Sequence, residues 1–427
     1  MAAETPIDWD KAYATRAAGM HASEIRELLK VIEQPGIISF AGGIPDPALF
    51  PTQVMRDAYV QILSEPQPGP HPLQYSASEG YLPLRSWIVG YMAQLGVPCA
   101  IDNIVITAGS QQGLDLLGKL FLSPGDTALV TAPTYLGALQ AFNAYEPRYA
   151  TLTLGQADGS PTATVAPPPV PGGREAFAYV VPDFANPTGE TLSEAVRLGL
   201  LDLVVERGIP LIEDAAYAGL RFEGEPVAPC LALDLRRCGK IDRSRVIYCG
   251  TFSKTISPGL RVGWICAASD LVQKVVLAKQ AADLHTATIN QIVMYEVAES
   301  IHTAQIGRLV PAYRSRRDAM LQALARHMPE GTRWTRPQGG MFVWVTLPVG
   351  LDGATLLEAA LREEQIAFVP GGAFFANGGG ANTLRLNYSL PSEAAIEAGI
   401  ARLGRLIARQ LAASGRVATD LQPTPAD

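Results

Sequence analysis

Positive charge is in short supply in this 427-residue chain. Lysine and arginine together number 34 against 41 aspartates and glutamates, and the formal net charge is −7. Proteins that bind nucleic acid usually present a basic surface, so this balance argues against a nucleic-acid partner. Uncharged apolar runs of about 18 residues are also missing, which predicts that no segment crosses a membrane. Near the start, Glu4, Asp8 and Asp10 stand where a signal peptide would have its hydrophobic block, so no signal peptide is predicted.

Cysteine is scarce too. The five cysteines are an odd number, and none has the C-x-x-C spacing of a metal site. Disulfides are typical of secreted proteins, whereas thiols stay reduced in the cytoplasm. The sequence therefore predicts a cytoplasmic protein without a metal site. Its reduced thiols are expected to be Cys99, Cys230, Cys238, Cys249 and Cys266.

Glycine and proline, by contrast, are plentiful. They number 40 and 33, and hydrophobic residues make up 48% of the chain. This composition is typical of a soluble α/β enzyme with many tight loops. A chain of this length can bury a large core and tends to divide into two domains.

Residues 101–214 repeat a pattern of strand, turn and helix. Such alternation predicts a mostly parallel sheet that is covered by helices on both faces. Ligands of such sheets bind beyond the carboxyl ends of the strands. Five polar residues directly follow predicted strand ends, and we expect them to meet at one edge of the sheet: Ser110, Tyr135, Asn186, Asp214 and Lys254.

Residues 248–264 carry the strongest chemical signal. A strand-like run ends in small hydroxylated residues, followed by Lys254, a Pro-Gly turn and Arg261. A hairpin with a solvated lysine at its tip would also fit this pattern. However, a lone amine flanked by Thr251 and Ser253 rather than by charges is a candidate for a desolvated, reactive group. A lysine that forms a Schiff base, beside an arginine and hydroxyls that bind a phosphate, is what pyridoxal phosphate requires.

This segment resembles the lysine segment of the class I and II aminotransferases, fold-type I pyridoxal-phosphate enzymes with the pattern S-F-S-K-x-x-x-P-G-x-R-x-G. Thr251 replaces the first serine here, and every other fixed position matches. The resemblance implies an α/β fold with a large domain, whose mostly parallel sheet lies between helices, and a smaller α+β domain. We expect an N-terminal arm and helix that join the small domain (1–48), a large cofactor-binding domain (49–305), a small C-terminal domain (306–412) and a disordered tail (413–427).

Asp214 and Asn186 are expected at the cofactor ring. A carboxylate at the end of an apolar strand is costly when buried and unpaired, and a protonated pyridine nitrogen would satisfy Asp214. Taken alone, Asp214 could equally cap a helix, and Asn186 could belong to a turn in Asn-Pro-Thr-Gly. The resemblance implies that Asn186 and Tyr217 bind the ring 3-oxygen and that Tyr135 stacks on the ring.

The cofactor phosphate is expected near Ser110, where a helix begins, because a helix N-terminus has unpaired N–H groups and a positive dipole end. An ordinary serine cap would also explain Ser110. The resemblance implies that Tyr75 reaches the phosphate of the neighbouring subunit, in a homodimer with shared active sites. Without it, Tyr75 would be a packing tyrosine. The predicted phosphate contacts are Ser110, Gln111, Gln112, Thr251, Ser253, Arg261 and Tyr75.

The substrate is expected to bind through Arg385, which the resemblance implies to be the clamp for its α-carboxylate. An arginine in this alternating strand would otherwise be expected on the surface. The resemblance also places Gly43 and Asn186 near the substrate. The resemblance further implies that Arg26 binds the side-chain carboxylate of an acidic substrate. Alternatively, Arg26 is an exposed helix arginine that pairs with a glutamate. The expected catalytic residues are Lys254, which moves the substrate proton, Asp214 and Tyr217.

Nearly the whole chain resembles the 2-aminoadipate aminotransferases that also accept glutamate, leucine and aromatic amino acids. Matching blocks include residues 40–43, 339–344 and 369–372. Ala185 stands where the family often has glutamine, at the edge of the pocket. We therefore expect transfer of an amino group from such an amino acid to 2-oxoglutarate or a similar 2-oxo acid.

Two other functions share part of this pattern. A different pyridoxal-phosphate reaction, such as that of a lyase or a decarboxylase, uses the same active-site set. A transcription regulator with an aminotransferase-like domain would need a basic DNA-binding module before the fold. The segment before Arg26 is expected to leave no room for such a module, and the chain is acidic.

Overall fold

The computed structural model describes residues 7–19, 36–64, 71–157, 160–168 and 173–420. No helix in these ranges is long and apolar enough to span a membrane. The strands are β1 (Ile38–Ser39), β2 (Ile104–Thr107), β3 (Thr127–Val130), β4 (Arg148–Ala157), β5 (Ser160–Ala166), β6 (Glu175–Val180), β7 (Leu211–Asp214), β8 (Val246–Thr251), β9 (Gly263–Cys266), β10 (Arg333–Trp334), β11 (Phe342–Thr346), β12 (Ile366–Ala367), β13 (Val369–Pro370) and β14 (Thr383–Asn387).

The helices of the described residues alternate with these strands. Shorter 3₁₀ turns also occur, for example at residues 101–103 and 241–243. The α-helices are α1 (Trp9–Ala12), α2 (Thr52–Ser64), α3 (Leu82–Gln94), α4 (Ser110–Phe121), α5 (Leu136–Asn143), α6 (Glu194–Arg207), α7 (Cys230–Cys238), α8 (Ser269–Ala282), α9 (Thr288–His327), α10 (Gly353–Ala359) and α11 (Glu393–Asp420).

Eight strands form the main sheet, in the order β2-β9-β8-β7-β6-β3-β4-β5. The run from β8 to β4 is parallel throughout, whereas β9 and β5 are antiparallel to their neighbours. This confirms the prediction of a mostly parallel sheet. The antiparallel pairing of β8 and β9 means that the hairpin reading of residues 248–264 is correct for the backbone. Lys254, in the connection between these strands, is nevertheless half-buried rather than solvated.

Side chains alternate between the two faces of the main sheet. Along β6, Phe177 and Tyr179 pack into one hydrophobic cluster, while Ala178 and Val180 pack into the other. Helix α4 contributes to the first cluster and helix α3 to the second. Strands buried on both faces need apolar residues at successive positions, which explains why β6 reads as a continuous apolar run.

A smaller antiparallel sheet, in the order β10-β11-β14-β13, lies in the last part of the chain. Strand β1 pairs with β12, so the segment that precedes the large sheet is joined to the C-terminal part. Helix α9 has 40 residues and runs across position 305 without a break. The proposed domain limits therefore remain a prediction.

Two expectations concern the ends of the chain. The last helix continues to Asp420, past its predicted end near residue 412. Residues 413–420 include the poor helix formers Gly415, Val417 and Thr419, but the first proline that could stop the helix is Pro423. The predicted helix that carries Arg26 lies outside the described residues.

Candidate active site

A cavity of about 240 Å³ lies beyond the carboxyl ends of β6, β7 and β8. The structure brings together in this cavity all five polar residues that were expected to meet at one edge of the sheet. Gly43 and Arg385 come from the N-terminal segment and the smaller sheet, so distant parts of the chain close the site. The lining residues are Gly43, Ser110, Gln111, Tyr135, Val181, Asn186, Asp214, Ala216, Tyr217, Thr251, Ser253, Lys254, Pro258, Arg261 and Arg385.

One end of the cavity has the donors that a phosphate needs. Helix α4 begins at Ser110 and directs its N-terminus at this end, while Arg261 provides a cation. The Thr251 hydroxyl donates to Ser253 Oγ over 2.9 Å and accepts from the Ser253 backbone N–H over 3.1 Å. These two hydroxyls are therefore fixed relative to each other at the wall of the cavity.

Arg261 has an unusual backbone and close neighbours. Its φ of 55° lies in the left-handed region, which residues with a side chain seldom adopt. The guanidinium donates from Nη2 to the Ala108 carbonyl and from Nη1 to the Pro258 carbonyl, each over 3.3 Å. Gly109 allows this arrangement, because a Cβ there would lie 2.5 Å from Arg261 Nη2.

Asp214 has one satisfied oxygen and one unsatisfied oxygen. The side chain is 2% exposed, and Oδ2 accepts a hydrogen bond from the Tyr179 hydroxyl over 2.9 Å. Within the described part of the chain, Oδ1 is buried and has no hydrogen-bond partner. Burial raises the pKa of Asp214 to about 6, although the bonds from Tyr179 and the Ala216 N–H and the charge of Lys254 oppose this shift. The carboxylate is therefore mostly ionised at neutral pH, and its Oδ1 lacks a hydrogen-bond donor among the described residues.

Lys254 has an unusually acidic ammonium group. Burial lowers its pKa to about 8, with smaller effects from the positive charges of Arg385 and Arg261. Its Nζ donates to the Gly43 carbonyl over 2.9 Å, and it lies 5.8 Å from the centre of the Tyr217 ring. At neutral pH a fraction of this amine is unprotonated, which is the form that acts as a nucleophile or a base.

Arg385 lies in β14 and is 2% exposed. It forms no salt bridge with the described residues, and its Nε is buried without a partner. Nη1 donates to Asn186 Oδ1 over 2.8 Å and Nη2 to the Ala41 carbonyl over 2.7 Å. The guanidinium also lies 4.4 Å from the centre of the Phe342 ring. A buried cation whose partners are all neutral can bind a carboxylate.

Two tyrosines complete the walls. Burial raises the pKa of Tyr135 to about 12 and that of Tyr217 further, so both hydroxyls keep their protons at neutral pH. Proximity to Asn186 opposes the shift of the Tyr217 pKa slightly. The neutral phenol of Tyr217 can donate to an anionic oxygen, such as the ring 3-oxygen that was predicted for it, whereas Tyr135 was predicted to stack on the ring.

Of the three remaining predicted residues, Gln112 and Tyr75 have side chains outside the cavity. The Gln112 side chain turns away: its Oε1 accepts from the Ala108 N–H and from Lys279 Nζ, and its Nε2 donates to Asp283. Successive residues of a helix are rotated by about 100°, so Gln112 cannot follow Ser110 and Gln111 toward the same point. Its predicted side-chain contact with the phosphate is therefore wrong for this structure.

The other two residues are Tyr75 and Arg26. Tyr75 is 76% exposed, and its ring packs edge-on against His285, outside the cavity of its own chain. Arg26 lies outside the described residues.

Tyr179 is the buried neighbour of Asp214 that sequence reasoning missed. It lies 35 residues before Asp214, within an apolar strand where a tyrosine is ordinarily a packing residue. The signal that could have indicated it is the strand order. If β6 and β7 are neighbours, a phenol near the end of β6 can reach the carboxylate at the end of β7.

Comparison with known proteins gives consistent results. The family model described as aminotransferase class I and II matches residues 172–403. The chain is 45% identical to a 2-aminoadipate transaminase of Thermus thermophilus, over 95% of this chain and 99% of the relative. It is 40% identical to an aromatic-amino-acid aminotransferase of Thermococcus litoralis, over 95% and 96% respectively. An alpha-aminoadipate aminotransferase from Thermus thermophilus, solved with N-(5'-phosphopyridoxyl)-L-leucine, superimposes with a TM-score of 0.84 at 42% identity, over 95% of this chain and 100% of that one.

Proposed function

The chain belongs to the class I and II aminotransferases, and on this basis we propose that it moves the amino group of acidic, aliphatic and aromatic amino acids to 2-oxoglutarate or a similar 2-oxo acid. The enzyme is a pyridoxal-phosphate-dependent aminotransferase of fold type I. Transamination therefore replaces the lyase and decarboxylase alternatives. The observation that carries the proposal is the unsatisfied Asp214 Oδ1 in a cavity that also contains Lys254 and Arg385.

The residues present fit pyridoxal phosphate, which, when bound, supplies an electron-withdrawing ring that stabilises negative charge on the substrate carbon. Asp214 Oδ1 would accept from the protonated ring nitrogen and so gain its missing partner. The start of α4 and Arg261 would hold the phosphate. The remaining proposed contacts are Ser110, Gln111, Thr251 and Ser253 at the phosphate, Tyr135 on the ring face, and Asn186 and Tyr217 at the ring 3-oxygen.

Lys254 would have two roles. Its amine, whose pKa is lowered to about 8, would attach the cofactor covalently. Once the substrate amine has displaced Lys254 from the cofactor, the freed Nζ would accept the proton from the substrate carbon next to the carboxylate and would deliver it to the cofactor carbon that holds the nitrogen. The bond to the Gly43 carbonyl would have to break for this to happen, because a protonated, hydrogen-bonded amine cannot act as a base.

Arg385 would hold the substrate carboxylate. Its Nε has no partner, and the Ala41 carbonyl at Nη2 is a neutral acceptor that a carboxylate can replace at a gain in free energy. The bond from Nη1 to Asn186 fixes the plane of the guanidinium. A fixed clamp orients the substrate carbon toward Lys254, which removes much of the entropic cost of the reaction.

The breadth of donors is proposed from the relatives, whose names include 2-aminoadipate and aromatic amino acids and one of which was solved with a leucine adduct. Arg26 remains our proposed contact for acidic side chains. Ala185 lies in a second cavity of about 190 Å³, which shares Tyr135 and Asn186 with the active site. The small side chain leaves space beside the substrate pocket, which supports the acceptance of bulky donors.

A homodimer with shared sites is also part of the proposal. Tyr75 and Leu73 are largely exposed, although they are apolar, and Leu284 is exposed beside His285, which Tyr75 contacts. Exposed apolar side chains that lie close together are typical of a protein interface. We further propose a cytoplasmic location, which the five free thiols support.

The proposed function can be tested with purified protein and a panel of amino donors. With 2-oxoglutarate as acceptor, 2-aminoadipate, leucine and phenylalanine should each yield their 2-oxo acid together with glutamate. Glutamate gives no net change with 2-oxoglutarate, so it is tested with the 2-oxo acid of leucine as acceptor and should yield leucine. Lys254→Ala should lose most of this turnover and serves as the control. Release of carbon dioxide or ammonia without a 2-oxo acid product would contradict the proposal, as would a strict requirement for one donor.

A further inference from the structure

Asp214 is supported by a second buried side chain, the phenol of Tyr179. The hydroxyl donates to Asp214 Oδ2 over 2.9 Å, and the oxygen on the other side, Oδ1, is the one that has no partner among the described residues. We infer that Tyr179 is a positioning residue, which keeps Asp214 ionised and directs its free oxygen toward the cofactor ring. The inference rests on the proposed role of Asp214 at the ring nitrogen.

The sheet holds the two side chains in fixed relation. Strands β6 and β7 are parallel neighbours, and Tyr179 is in register with Ile212, two residues before Asp214 on the same face of β7. The Tyr179 ring is fully buried and packs edge-on against Phe142, with 5.7 Å between ring centres. The phenol therefore has little freedom to turn away, and it fixes one oxygen of Asp214 from the side of the core.

The protonation states make this contact directional. Burial and the nearby charge of Asp214 raise the pKa of Tyr179 well above its ordinary value, so its hydroxyl keeps the proton and donates it. The hydrogen bond in turn lowers the pKa of Asp214 against the effect of burial. The positive charge of Lys254 acts in the same direction. The other titratable groups that face Asp214 from the surrounding elements are the neutral Tyr135, Tyr217 and Cys249.

Tyr179→Phe should therefore change the pH at which Asp214 ionises. Loss of the donor leaves Oδ2 unpaired and disfavours the carboxylate, so the pKa of Asp214 rises, by about one to two units for a hydrogen bond to a charged group. A neutral carboxyl group cannot stabilise a protonated ring nitrogen. Starting from a pKa of about 6, the variant should bind pyridoxal phosphate about two- to ten-fold more weakly at pH 7, with the difference below about 1.5-fold at pH 8.5.

The test is a titration of the cofactor-free, full-length protein with pyridoxal phosphate, followed by tryptophan fluorescence, from pH 5 to pH 9. Tyr149→Phe is the matched control. Tyr149 lies in β4 of the same sheet, and its buried phenol also donates to a side chain, Asn143 Oδ1, over 2.7 Å. A carbocyclic cofactor analogue without the ring nitrogen is the second probe. Its affinity should be unaffected by Tyr179→Phe, because there is no ring cation to pair with Asp214.

These measurements distinguish the role of Tyr179 from the proposed role of Asp214 at the ring nitrogen. The affinity for pyridoxal phosphate should fall at low pH, and this fall is the acid limb of the profile. The inference is supported if the acid limb shifts to higher pH in Tyr179→Phe but not in Tyr149→Phe. An unshifted limb, or equal weakening of the analogue, shows that Tyr179 only fills space and overturns it. Asp214→Asn is the reference: if that variant binds the cofactor as tightly as the wild type, the proposed role of Asp214 fails, whatever Tyr179 does. Should Tyr179→Phe not fold, Tyr179→Met is the second variant: the same shift of the affinity profile to higher pH is expected, and its absence overturns the inference.

Discussion

Gly109 offers a sharp test of the phosphate site, because a side chain there would collide with Arg261. The backbone at Gly109 has φ +78°, and a Cβ would lie 2.5 Å from Arg261 Nη2 and 3.0 Å from its Cζ. The guanidinium is the far end of a flexible side chain, so it should move before the backbone does. Gly109→Ala should thus remove the cation from the phosphate end while leaving the sheet intact. A lost charge-assisted hydrogen bond is worth roughly 1.5–3 kcal/mol, which corresponds to an increase of about ten- to 150-fold in the Kd for pyridoxal phosphate.

The control is Gly239→Ala. Gly239 has a similar φ of +81°, but nothing lies within 4 Å of the position of its Cβ. Gly239→Ala should lose about 1 kcal/mol of unfolding free energy, because alanine is strained in the left-handed region, and Gly109→Ala should lose about 1–3 kcal/mol, because its φ of 78° and ψ of 166° suit almost only glycine. Gly109→Ala alone should weaken cofactor binding, measured by fluorescence titration beside urea unfolding. Equal Kd values for the two variants would show that Arg261 does not contribute to phosphate binding.

Four further predictions concern the proposed site. Borohydride should fix the cofactor to Lys254 in the wild type, and a label on another lysine would contradict the assignment. Asp214→Asn should lower kcat far more than it changes the substrate KM, because its charge matters most when negative charge develops on the substrate, and near-normal kcat would argue against this role. Mixed subunits of an inactive Lys254→Ala protein and an inactive Tyr75 variant should regain activity, provided that subunits exchange; no recovery would favour a site built from one chain. The folded-state pKa of Lys254 is about 8 against an ordinary value of 10.5, so the cost of burying its charge is fully present below pH 8 and disappears as pH rises to 10.5. Lys254→Met should accordingly stabilise the cofactor-free protein by up to about 3 kcal/mol at pH 7 and by much less at pH 10, as measured by urea unfolding, and a gain that does not change with pH would refute the shift.

Much of the site could be predicted because of a rule about parallel sheets. Asn186, Asp214 and Lys254 each follow a strand, and the carboxyl ends of β6, β7 and β8 lie side by side. Local sequence is sufficient for such residues, because the chain itself delivers them to the same edge. Arg385 was different: it reaches the cavity from the smaller sheet, and only the resemblance indicated its position.

The remaining contacts depend on partners that are distant in sequence. Gln112 was expected at the phosphate, but the buried Lys279 and the exposed Asp283, about 170 residues later, bind its side chain instead. Tyr179 looked like core packing until the register of β6 and β7 placed its hydroxyl on Asp214. Periodicity assigns a residue to a face, but it does not identify the polar group that a buried side chain will meet.

The distribution of charge explains why the reaction is easier to infer than the substrate. The charged residues that line the cavity are mostly positive. They are Lys254, Arg261 and Arg385, against the single carboxylate of Asp214. Burial lowers the pKa of Lys254 and Arg385, as expected when neutral groups rather than anions surround a cation. This excess of positive charge favours the two anionic groups that every reaction of this class requires, the cofactor phosphate and the substrate α-carboxylate. The cofactor phosphate and the α-carboxylate are present whichever amino donor is bound. The charges that bind them therefore carry no information about the side chain of the donor. We therefore expect selection among donors to depend on residues at the edge of the cavity, such as Ala185, and on Arg26, the proposed contact for acidic side chains.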